Sequence, residues 1–135
     1  MNSKTHFIII CREAFLEAGT NNLNLIRIFS QVHADRFPFV LPSFALVVNF
    51  DVDEAGSHTL RTVVSGPDGT EVANTELPVR TNSGNWQVIA NFEHLRAPLP
   101  GTYSFQLTLD TRPLGSRTLL VNPAKARAKA EPAVA

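Results

Sequence analysis

The chain has 135 residues, 44% of them hydrophobic and 18% charged, which suits one globular domain and excludes a chain that stays disordered. Lys plus Arg and Asp plus Glu number 12 each, so the formal net charge is zero and no overall field gathers nucleic acid or an acidic membrane surface. A lone cysteine, Cys11, excludes an intrachain disulfide, and the first apolar run, 7–11, is too short for a signal-peptide core or a membrane span, so a cytoplasmic location is expected.

In chain order, residues 7–15 form a nearly continuous apolar stretch interrupted by Arg12 and Glu13, which reads as a strand with room for a short helix over 13–18. A second strand is expected within 23–32. Residues 37–42 hold Phe37, Phe39, Val40 and Leu41 between prolines, which forbids a central strand. This loop is a candidate interaction patch if exposed, and otherwise the crossover that closes one end of the domain.

Phe44, Leu46, Val48, Phe50 and Val52 then make one apolar row of a strand. The interleaved residues, Ala45, Val47, Asn49, Asp51 and Asp53, become steadily more polar. Pro67, Asp68 and Gly69 spell a turn that should join strands near 60–64 and 70–79, since Pro presets φ and Gly accepts φ above zero. Trp86, Val88, Ala90 and Phe92 alternate, as do Tyr103, Phe105, Leu107 and Leu109, and a turn at 113–115 is expected before a last strand ending at Val121.

The pattern predicts an all-β antiparallel sandwich of about eight strands over residues 1–123, with no long amphipathic helix. Residues 124–135 alternate Ala with Lys125, Arg127 and Lys129 and are expected to be a flexible tail. Apart from that tail, the chain carries 9 positive and 11 negative side chains, a mildly acidic body.

Gly101, Tyr103 and Phe105 resemble the start of strand F in immunoglobulin-like domains, and the resemblance implies that the Tyr103 hydroxyl bonds upstream backbone and locks a corner. Phe105 stands where an antibody domain has cysteine, so the likeness is to the broad immunoglobulin-like sandwich class. The order of Cys11 with Ala14, the 23–29 strand, Phe37 with Pro38, Gly56 with His58, the 67–69 turn and 101–105 is also similar to a family of small uncharacterised prokaryotic β-sandwich proteins. That resemblance implies no particular activity.

Chemistry-bearing residues are sparse. The four histidines, His6, His33, His58 and His94, lack the paired spacing of a zinc site. Asp51, Asp53, Glu54 and His58 are candidate ligands for a hard cation. Asp51, Asp53 and Gly56 stand at EF-hand offsets, but Ala55 and Thr62 occupy two ligand positions of that motif. Cys11 with a histidine is a candidate nucleophile pair, against the simpler reading of a buried thiol. No serine elbow and no phosphate-cradling glycine loop occurs, and no cofactor is expected.

The expectation is therefore a non-catalytic protein-interaction or structural module that binds another protein or itself, without nucleic acid or membrane. The alternative is a small-ligand, carbohydrate or Ca²⁺ binding module using the acidic loop, with Trp86 as a stacking surface. A weaker alternative is an enzyme using Cys11.

Overall fold

A computed structural model describes residues 3–123. Eleven strands follow one another in this part of the chain. They are β1 (Ser3–Leu16), β2 (Leu23–Ile28), β3 (Gln31–Ala34), β4 (Phe39–Val40), β5 (Phe44–Val52), β6 (Gly56–Ser65), β7 (Glu71–Thr81), β8 (Gly84–Phe92), β9 (Arg96–Ala97), β10 (Gly101–Leu109) and β11 (Arg112–Pro123). No helix long and apolar enough to cross a membrane occurs among the described residues. The tail expected over 124–135 lies outside them.

The strands form a four-stranded sheet in the order β2-β1-β5-β8 and a five-stranded sheet in the order β3-β11-β10-β6-β7, with β4 and β9 as a separate pair. Each apolar row points into the space between the two large sheets. Ile8 and Ile10 of β1 stand beside Val48 and Leu46 of β5, and Val88 of β8 pairs with Val48 from the other side. Leu60 and Val64 of β6 and Phe105, Leu107 and Leu109 of β10 close the core from the opposite sheet. This is an immunoglobulin-like all-β sandwich.

Phenylalanines fill its middle. Phe44 and Phe92 stack with ring centroids 5.1 Å apart, and Phe105 meets both edge-on at 5.9 and 5.8 Å. Such contacts add about 0.5–1.5 kcal/mol beyond the area they bury. Phe105 thus fills, with a ring, the place where the resemblance puts a cysteine.

Three local expectations change. The chain does not turn helical after Glu13, because β1 continues to Leu16 and its backbone is satisfied by pairing with β2, which overrides helix propensity. The reversal comes at 17–22, where Glu17 N–H donates to Asn22 O (2.8 Å) and Asn21 N–H to Glu17 O (2.9 Å). The segment 23–32 splits into β2 and β3, which belong to different sheets, and β3 runs parallel to β11. The last hairpin turns at Asp110 rather than at 113–115. Asp110 takes φ 57° there, and Leu114 is the extra, buried residue of a bulge in β11.

The corner before β10 is built as the tyrosine motif requires. Tyr103 is buried, and its hydroxyl donates to Leu99 O (2.6 Å) and accepts from Leu99 N–H (3.1 Å). Gly101 has φ 135°, and a Cβ there would sit 2.7 Å from Pro67 Cγ, so only glycine lets the 67–69 turn lie against this corner.

Candidate functional site

The acidic loop between β5 and β6 does not gather its ligands. Asp51 lies on the outer row of β5, where its carboxylate accepts from Asn85 (3.0 Å) and pairs with His6 Nε2 (2.8 Å). These two bonds hold the Asp51 carboxyl below its ordinary pKa, with Asn85 the larger cause. His58 belongs to the inner row of β6 in the other sheet and is buried. Its Nδ1 meets Asp110 Oδ2 at 2.8 Å and its Nε2 meets the Glu54 carbonyl at 3.2 Å.

Both ring nitrogens of His58 are therefore already bonded. The Asp110 carboxylate raises the His58 pKa, and His58 in turn lowers that of Asp110, which also accepts Thr59 N–H at 2.9 Å. Asp53 and Glu54 are exposed in the loop. Among the described residues no three His, Cys, Asp or Glu side chains converge on a metal-sized space. The sequence placed Asp51 and His58 seven residues apart, but the chain changes sheets between them.

Trp86 pairs with Phe50 and packs against the main core, so it is not a stacking platform beside the loop. Cys11 is fully buried, and its thiol donates to Glu13 O at 3.2 Å. Burial pushes the Cys11 thiol up, away from the thiolate a nucleophile needs. In the 37–42 loop, Leu41 is buried and donates its N–H to Leu95 O (2.9 Å), while Phe37 and Phe39 pack on the core. Only Val40 among the four candidate patch residues is largely exposed, at 51%. The loop with the β4–β9 pair thus closes one end of the sandwich.

The outer face of the four-stranded sheet is what the sequence reading missed. Cys11, Ala45 and Val47 are each 0% exposed and form a second apolar cluster, flanked by partly buried Phe7, Ala14, Leu23, Leu25 and Ile89. All of these residues come from β1, β2, β5 and β8, or in other words from that one sheet. Leu16, which pairs with Leu23, and Ile28, which pairs with Cys11, extend the apolar surface, each more than a third exposed.

The same face turns polar toward one end. Asn49 donates to Asn85 Oδ1 (3.1 Å) and Gln87 Oε1 (3.3 Å), and Asn85 returns a bond to Asn49 Oδ1 at 2.7 Å. With the His6–Asp51 pair these amides make a hydrogen-bonded strip across β1, β5 and β8 beside the apolar patch. One sheet therefore presents an apolar area with a polar margin. The signal was legible in Ala45 and Val47, which are apolar at positions that the alternation assigns to solvent.

Residues 6–122 match the model of a family of unknown function, DUF6941. No curated protein matches the chain. Among solved structures, the alkylpurine DNA glycosylase AlkC of Pseudomonas fluorescens, bound to DNA, is similar with a TM-score of 0.55 at 9% identity, over 89% of this chain and 30% of that one. The C-terminal domain of wzt is similar with a TM-score of 0.51 at 13% identity, over 89% of this chain and 73% of that one. An immunoglobulin-like protein from Pseudomonas aeruginosa aligns with a TM-score of 0.43 at 15% identity, over 90% of this chain and 98% of that one. This chain spans under a third of the glycosylase, and these likenesses concern the fold alone.

Proposed function

We propose that this chain, which belongs to the family of unknown function DUF6941, is a non-catalytic interaction module that engages another protein or a second copy of itself. The observation that carries this reading is the apolar outer face of the four-stranded sheet, where Phe7, Leu23, Leu25 and Ile89 surround the buried Cys11, Ala45 and Val47. An antiparallel sheet with one wet side normally shows polar residues there. An apolar area with a polar margin has the composition of a protein contact, in which an apolar centre is ringed by polar groups. The reading keeps the domain in the cytoplasm, where a lone thiol stays reduced.

Ile89→Lys places a charge on this face, beside Val47, without touching the main core. Sedimentation of the full chain shows whether it self-associates, and a pull-down from its host shows whether it holds another protein. The expected result is a dimer, or a retained partner, that is lost in Ile89→Lys while the near-ultraviolet circular dichroism is unchanged. A monomer that retains nothing, or the same association in both proteins, would overturn the proposal.

A further inference from the structure

A groove of about 530 Å³ opens where the β1–β2 hairpin leaves the body of the sandwich, lined by Arg12, Glu13, Ile26, Arg27, Pro42 and Ser43. Arg12 and Arg27 stand opposite each other between the paired positions Cys11↔Ile28 and Glu13↔Ile26. Like charges directly across two strands repel, and such pairs are ordinarily avoided. Neither guanidinium has a hydrogen bond or an ion pair among the described residues.

The backbone is also unfavourable at this point. Arg27 has φ 58°, a left-handed conformation that a long side chain adopts at a cost and that glycine would adopt freely. Two independent penalties thus coincide at one groove, the pattern expected where a structure gives up stability for a task. Glu13 lines the groove as well, so two positive charges against one negative leave an excess of one.

The geometry points to a binding site for the oxyanion group of a small ligand, a phosphate or a carboxylate, held by Arg12 and Arg27. Each guanidinium presents several N–H donors in a fixed plane that matches such oxygens, and the Ser43 hydroxyl adds a neutral donor on the same wall. The bound oxyanion supplies the negative charge that the Arg12–Arg27 pair lacks. Ile26 and Pro42 form apolar walls for whatever carries the group.

The full chain is titrated with inorganic phosphate and with citrate, against sodium chloride at matched ionic strength, and followed by amide chemical shifts. Saturable shifts confined to Arg12, Ile26, Arg27 and Ser43 are expected, and the better of the two probes identifies the oxyanion. Arg12→Gln and Arg27→Gly should each weaken binding about tenfold or more, the loss typical of a charge-assisted bond. Arg27→Gly should melt at or above the wild-type temperature, which a merely structural role for Arg27 would not allow. Shifts with neither probe, shifts scattered over the surface without saturation, or unchanged affinity in both variants would overturn the assignment.

Discussion

The Tyr103 hydroxyl is both donor and acceptor for the backbone of Leu99, four residues upstream. Tyr103→Phe keeps the ring in the core and removes both bonds. Because Leu99 is 42% exposed, water takes over part of the freed backbone, so the expected loss is about 0.5–1.5 kcal/mol rather than the full penalty of a buried orphan. Urea unfolding should show a lower midpoint with an unchanged slope. Tyr103 was fully legible in the sequence because its motif is local, with Gly101 two positions before it and Phe105 two after. His58 was not, since Asp110, which decides its role, lies 52 positions away in the chain.

The His58–Asp110 pair ties the start of β6 to the turn between β10 and β11, and it makes the link sensitive to pH. With its folded pKa raised, His58 contributes stability that is complete below its unfolded value of about 6.5 and is lost as pH rises through the folded value. Asp110 has a lowered folded pKa and contributes stability that is complete above about 3.9 and is lost as pH falls through its folded value. The pair therefore stabilises most between about pH 4 and 6.5. Asp110→Asn keeps a residue that tolerates the left-handed turn and removes the charge. Urea unfolding from about pH 4 upward should show the wild type losing stability as pH rises above about 6.5, and a flatter profile in Asp110→Asn.

Alternation revealed β5, β8 and β10, whose inner rows run without a break. It could not place the boundary between β2 and β3, since a change of sheet leaves no mark in hydrophobic periodicity. It also misplaced the last turn, because Pro113 and Gly115 signal a reversal more strongly than Asp110 does, yet serve a bulge. The candidate cation loop failed for a related reason. Residues close in sequence were assigned to one site, while the fold sends Asp51 and His58 to different sheets. The outer apolar face was written in Ala45 and Val47 but becomes a patch only once β1 and β8 are laid beside β5.

At the scale of the whole molecule, five of the eight strand pairings among the described residues join strands that are not neighbours in the chain. β1 sits inside its sheet next to β5, and β3 waits for β11, the last described strand. The five-stranded sheet is incomplete until Leu120 to Pro123 are in place beside β3. Loop closure must precede these contacts, so refolding after dilution from urea should take milliseconds to seconds, as for other sandwiches, and not the microseconds of a helical bundle. Stopped-flow fluorescence of Trp86, which packs on the core, reports this directly.

The left-handed Arg27 in β2 and Pro78 in β7 interrupt two outer strands, one in each large sheet. A new strand cannot add to either in continuous register, because one offers a kinked backbone and the other lacks an N–H. Open-ended growth into filaments is thereby discouraged at both places. Association through a sheet face under two-fold symmetry instead consumes the surface it uses, so assemblies of this chain should stop at a small, closed number of subunits.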